Sequence, residues 1–341
     1  MGIIFWDIVR RIDPPVTTEI YIYMMTDRPY QRRTPLLLRA RAVIAQYGRR
    51  LSPSRIFILV ALALIAYATL VTHAAETVNV LYAGSLVNLM EHGIGAGFEQ
   101  ASGESFRGFA GGSGALANQI KGNLRQGDVF ISANPNVDSN LMGPTNGSWV
   151  SWYITFAESP LMIGYNASSR FAADFKTKPW YEVLAEPGIR IGRTDAKLDP
   201  KGALTLQLIA SAEDFYHKPG LAQQVLGAPD NPSQVLPEET LVGRIQSGQL
   251  DAGFFYSTAS TDAPIPSVAP PAGIDPKAVY TVTILRDAPN VAGARRFVAF
   301  LLGSQGQHIL EQHGLALRKP TLSGDASSAP PDIRALATGT Q

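Results

Sequence analysis

Two short stretches built to the same pattern constrain this chain most. From Thr77 it reads TVNVLYAGSL, a β-rich run that ends at Gly84-Ser85. From Ser105 it reads SFRGFAGGSG, an extended run that ends at Gly111-Gly112-Ser113-Gly114. Each run leads into a helical segment. The first is marked by Leu86, Leu89, Met90, Ile94 and Phe98 at helical spacing, the second by ALANQIKGNL. GDVFISAN then supplies a third short apolar strand. Strands alternating with helices over short connections are the signature of a parallel α/β sheet.

A second, smaller α/β set follows a loop rich in Asn, Gly, Pro and Ser (Asn134–Ser151). It comprises the strand-like ITFAESPLMIGYN, the segment RIGRTDAKLDPKG, a helix from about Ala203 to Tyr216, TLVGRIQSGQ and LDAGFFYS. The proline-rich bridge Pro264–Pro276 leads to the strand AVYTVTILRD and to one amphipathic helix over Ala292–Gly314. The stretch from Thr321 to Gln341 is rich in Ser, Ala, Pro and Gly, and its composition predicts disorder. Two α/β units suit a length of 341 residues.

Charge divides the chain differently. Residues 1–55 hold ten arginines, no lysine and four acidic residues. The run Ile56–Thr72, IFILVALALIAYATLVT, is uncharged and follows Arg49, Arg50 and Arg55. A spanning helix needs ~20 apolar residues, and this run is shorter. It fits a signal peptide, with a basic region, an apolar region and cleavage after Ala74, where Thr72 and Ala74 hold the recognition positions. The alternative is an uncleaved N-terminal anchor. Either way the remainder works outside the cytoplasm. The first fifty residues exceed an ordinary basic region and suggest a start site read too far upstream. The remainder has nineteen basic against twenty-four acidic side chains, which speaks against nucleic-acid binding. The absence of cysteine excludes disulfides, thiol nucleophiles, cysteine-ligated metals and a lipid anchor on an N-terminal cysteine.

Ser85 and Ser113 occupy equivalent places: a strand ends, glycine follows, then serine, then helix. Serine there is a good N-cap. The same geometry is also an anion site, because the first helical amides are unpaired and the helix dipole favours negative charge. Gly111–Ala115 is a near miss for a hydrolase nucleophile elbow, which wants glycine where Ala115 stands. His217, His308 and His313 read as surface residues rather than triad partners. Asp199, in LDPKG, is by default a turn residue. Glu238 and Glu239 follow Pro237, where acids suit a helix start. Tyr256 closes the buried strand GFFY, and its hydroxyl is either structural or aimed into a cleft. No HExxH motif, paired histidines or P-loop is present. The glycines of His92–Gly97 soften a helix rather than form a nucleotide loop.

In order and spacing, VNVLYAGSLVNLMEHG, FAGGSGALANQIKGN and GDVFISAN resemble the molybdate/tungstate-binding proteins of ABC uptake systems. LDPKG, PEETLVGRIQSGQLDAGFFY and AGARRFVAFLLGSQGQHILEQHG are similar to the same family, so the resemblance covers roughly 77–320. It implies a type II periplasmic binding protein fold, two α/β lobes with the oxyanion in the cleft between them. Ser85 and Ser113 match the family's two oxyanion-binding serines, and Tyr256 matches its phenol donor. Asp199 and Glu238 match the two carboxylates of one branch, with Glu239 as the alternative one place on. Carboxylates beside an anion repel it. They make sense as hard oxygen ligands to the Mo(VI) or W(VI) centre, whose coordination can expand where sulfur and phosphorus cannot.

The resemblance therefore implies an exported binding protein, not an enzyme, that delivers molybdate or tungstate to a membrane ABC permease. It is expected to be a periplasmic monomer with no cofactor and no nucleic-acid partner. Residues 1–74 are its extension and signal peptide, 76–158 the first part of lobe one, 159–257 lobe two, 258–320 the return to lobe one and 321–341 a disordered tail. The hinge is expected near Ser159 and Tyr256. The alternatives are a sulfate or other oxyanion receptor and, from a different class, an exported serine hydrolase using Ser113. One departure stands out: Lys201 occupies a position where the carboxylate branch has a small residue. It either adds a charge beside the cleft or points to solvent.

Overall fold

The computed structural model describes residues 76–258, 265–337 and 339–340. The arginine-rich extension, the apolar run and the junction after Ala74 lie outside the described residues. Among the described residues no helix is long and apolar enough to cross a membrane.

β1 (Thr77–Ala83) and β2 (Ser105–Gly111) pair in parallel, from Thr77 with Ser105 to Ala83 with Gly111. Between them a π-helical turn, Met90–Ile94, runs into α1 (Gly95–Ser102). α2 (Ser113–Lys121) follows β2, and β3 (Val129–Ser132) takes the other side of β1. All four residues of β3 are buried, as a central strand covered on both faces requires. α3 (Pro135–Ser139) leads to the long strand β4 (Trp152–Tyr165).

Then come β5 (Ile191–Gly192), α4 (Pro200–Phe215), β6 (Ala252–Tyr256) and β7 (Ser267–Val268). The chain finishes with β8 (Lys277–Ile284), α5 (Val291–Leu302), α6 (Ser304–Gln312), β9 (Ala316–Gly324), α7 (Pro331–Leu336) and β10 (Gly339–Thr340).

The strands make two sheets that share β4. The first has the order β10-β9-β4-β8-β3-β1-β2, and the second joins β5, β6 and β7 to the end of β4. Up to Pro160, β4 pairs with β8; from Leu161 it pairs with β6. Proline lacks the N–H that would continue the ladder, which suits the point where one sheet gives way to the other. Beside this crossing, the hydroxyls of Ser159 and Ser257 lie 2.9 Å apart. The architecture is α/β with two lobes. In the first, Val78, Val80 and Tyr82 share a core with Phe98 and Phe297, whose rings meet edge to face at 5.2 Å.

Three expectations are corrected. The described part of the tail, 321–337 and 339–340, is ordered: β9 runs antiparallel to β4 from Trp152–Gly324 to Glu158–Ala316, β10 pairs with Thr321 and Leu322, and Ile333 of α7 is fully buried. Its backbone pairs along a strand edge whatever its side chains, and Leu322, Ala329 and Ile333 anchor it in the main core. The return to the first sheet does not fall at 258, because β7 still pairs with Ile163 and Gly164; the first sheet resumes at Lys277. The helix expected over Ala292–Gly314 is two. Gly303 has extended backbone, and a Cβ on Gly306 would stand within 2.3 Å of the Phe300 carbonyl, so only glycine lets α6 fold back this tightly.

Candidate functional site

Because β1 and β2 are parallel neighbours with Ala83 opposite Gly111, their exits lie side by side. Ser85 and Ser113 therefore stand together at the carboxyl ends of two strands, where open α/β sheets place their ligands. Neither serine is a side-chain cap. Ser85 lies within the 3₁₀ turn Gly84–Leu86, and Gly112 is the N-cap of α2, with Ser113 its first residue. Their hydroxyls work elsewhere. Ser85 Oγ lies 3.1 Å from Tyr280 Oη, and the fully buried Ser113 Oγ accepts from the Ala133 amide at 3.1 Å. The α2 helix itself offers no acceptor for the Ser113 and Gly114 amides at its first turn. The Ala115 amide donates to Leu198 O at 2.9 Å.

That contact brings in the second lobe. Asp199 caps α4 ahead of Pro200 and is buried; its Oδ1 accepts from Lys201 N and Thr194 Oγ1, both at 2.9 Å. Its Oδ2 turns toward α2, and a Cβ on Gly112 would stand 3.1 Å from it and 2.7 Å from Leu198 O. Burial pushes the Asp199 carboxyl above the usual carboxylate range, opposed by the Lys201 charge and by hydrogen bonds.

Glu238 opens the turn Glu238–Thr240 and is also buried. It packs on the first serine turn, where a Cβ on Gly84 would lie 2.5 Å from Glu238 Cγ. The Glu239 side chain lies outside the described residues.

Two tyrosines close the site. Tyr256, at the end of β6, is 2% exposed, and its hydroxyl has no hydrogen-bond partner among the described residues. Its ring meets Tyr280 at 6.3 Å and 79°. Burial, reinforced by the charge of Asp199, pushes the Tyr256 phenol well above its ordinary value, so it remains a donor. Tyr280 is raised for the same first reason, burial.

Lys201 does not point to solvent. It is 2% exposed, ion-paired with Glu238, and its Nζ lies 5.9 Å over the Tyr256 ring. Ser85, Ser113, Asp199, Glu238 and Tyr256 thus converge on one buried crevice between the lobes. Sequence reasoning missed Tyr280 and Thr194. Tyr280 is one more buried aromatic in AVYTVT and Thr194 one hydroxyl in RTDAK, with no local signal that either serves another residue.

A hydrolase elbow finds no support here. Ser113 Oγ is engaged by the Ala133 amide, and among the described residues no imidazole bonds to it. No group of three or more His, Cys, Asp or Glu positioned for a resident metal ion occurs among the described residues. The crevice offers neutral donors, helix-terminal amides, one ammonium and two carboxylates, a set that can hold a small anion.

The chain is similar to several known proteins. An uncharacterized solute-binding protein of Petrotoga mobilis is 29% identical over 263 residues, covering 67% of this chain and 80% of its own length. The molybdate/tungstate-binding protein WtpA of Thermococcus kodakarensis is 25% identical over 279 residues, covering 68% and 77% respectively. Among solved structures, the periplasmic molybdate-binding protein of Azotobacter vinelandii superposes with a TM-score of 0.56 at 20% identity, covering 71% of this chain and 99% of its own. The fold is that of type II periplasmic binding proteins. Residues 78–316 match the bacterial extracellular solute-binding proteins, and the chain belongs to that family.

Proposed function

We propose that this protein captures molybdate or tungstate outside the cytoplasm and delivers it to a membrane ABC permease. The observation that carries the reading is the meeting of two kinds of group in one crevice. Ser85, Ser113, Tyr256 and the first amides of α2 are anion donors, yet Asp199 and Glu238 face the same space. Donors alone suit any tetrahedral oxyanion. The carboxylates suit one whose central atom accepts further oxygen ligands, which Mo(VI) and W(VI) do. The names borne by relatives such as the Thermococcus protein support the same ligand class.

In this reading the two serine turns and Tyr256 hold the oxygens, while Asp199 and Glu238 approach the metal centre. The protein binds without turnover. Residues 1–74 are its extension and signal peptide, cleaved after Ala74, and it works as a periplasmic monomer. The N-terminal residue and mass of the exported protein test the cleavage.

Calorimetry with molybdate, tungstate, sulfate and phosphate tests the ligand class. The first two are expected to bind at micromolar concentration or tighter and to raise the melting temperature, with sulfate and phosphate far weaker. Failure of all four to bind sinks the reading.

A further inference from the structure

Lys201 and Glu238 form an ion pair whose side chains are 2% and 5% exposed, inside the crevice that also holds Asp199 and the Tyr256 hydroxyl, which has no hydrogen-bond partner among the described residues. A buried ammonium needs an anion beside it, because its desolvation costs far more than a neutral group's. Glu238 has little room to withdraw, since its stem rests on the turn at Gly84. Lys201 sits with its Nζ over the face of Tyr256, a ring that favours a cation there. An ammonium has three donors and can serve a second oxygen.

We infer that Lys201 is a specificity-determining residue: its ammonium passes from Glu238 to an oxygen of the incoming oxyanion, and this frees Glu238 for the metal centre. The inference rests on the oxyanion reading above. Its consequence is discrimination. A molybdenum or tungsten centre accepts the freed carboxylate as a ligand, so both former partners end up satisfied. Sulfate or phosphate takes the ammonium but has no place for the carboxylate, and breaking a buried ion pair without replacing both of its halves is strongly penalised. The ion pair therefore holds the cation in reserve and admits only an oxyanion that can replace both halves of it.

Four proteins test this by calorimetry with tungstate and sulfate at one ionic strength: wild type, Glu238→Gln, Lys201→Met and the double variant. Glu238→Gln leaves Lys201 without that carboxylate. It is expected to bind sulfate at least about tenfold more tightly than wild type and tungstate about tenfold more weakly. Lys201→Met is expected to weaken tungstate at least about tenfold. In the double variant the gain for sulfate should vanish, because it depends on the ammonium.

A sulfate gain that survives in the double variant overturns the inference. So does a Glu238→Gln protein whose tungstate-to-sulfate ratio stays within about twofold of wild type. A lysine that only braces the fold shifts the melting temperature of the free protein and leaves that ratio unchanged. Should Lys201→Met fail to fold, the comparison of Glu238→Gln with the double variant still decides, because the double variant leaves neither charge of the pair alone. Wild type that binds no tungstate sinks the oxyanion reading and this inference together. Wild type that binds tungstate, with the ratio unmoved in Glu238→Gln, sinks this inference alone.

Discussion

Gly84 and Glu238 touch across the crevice: a Cβ on Gly84 would stand 2.5 Å from Glu238 Cγ and 3.2 Å from its Cβ. The first serine turn and the second lobe's carboxylate therefore fit each other only without a side chain at position 84. Gly84→Ala is expected to push Glu238 off the turn, at a cost of about 1–3 kcal/mol. Oxyanion affinity should fall by about tenfold or more, while each lobe keeps its own core. Calorimetry alongside thermal unfolding of the free protein checks this. Unchanged affinity would mean that Glu238 does not need its present position to bind ligand.

Tyr256 offers a cleaner separation of stability from binding. Its buried hydroxyl has no hydrogen-bond partner among the described residues. A buried polar group without a partner costs about 1–3 kcal/mol, so Tyr256→Phe should leave the free protein as stable or more stable. Oxyanion affinity should drop about tenfold through loss of one donor. Denaturant unfolding and calorimetry report the two effects separately. A variant that loses stability without losing affinity would make the hydroxyl structural.

Asp138 sets an expected pH dependence. It is fully buried on α3, its Oδ2 accepting from Thr281 Oγ1 at 2.6 Å, and burial raises its carboxyl from 3.8 to about 7. Between pH ~4 and ~7 the folded state holds this proton and the unfolded state has lost it, so the group makes stability fall as pH rises across that window. Three pKa units correspond to about 4 kcal/mol. Asp138→Asn, which stays neutral, is expected to flatten that decline. Urea unfolding of both proteins across the window measures it.

The C-terminal segment bears weight in the fold. Ile333 is fully buried and packs α7 against the main core, while β9 pairs along β4. Ile333→Ala should cost about 2–5 kcal/mol. Truncation before Thr321 should lower the melting temperature further, since it removes part of a strand as well. A truncated protein that melts with the full chain would show that the segment is dispensable.

Much of this molecule was legible along the chain. Short apolar runs ending in Gly-Ser, each followed by residues at helical spacing, specify parallel strands and helices, and the same grammar marks Ser85 and Ser113 without reference to strand pairing. Asp199 before Pro200 is a capping signal that works locally. What no local pattern carries is which residues meet. The serines became neighbours through the pairing of Ala83 with Gly111, and Asp199 and Glu238 reached them through contacts at Gly112 and Gly84. Composition misjudged the tail because a strand edge takes its hydrogen bonds from backbone, which composition does not record. Lys201 is the sharpest case. By itself a lysine belongs in water, since its charge is costly to bury. Only the fold, by bringing Glu238 and the face of Tyr256 to the same place, makes a buried lysine affordable.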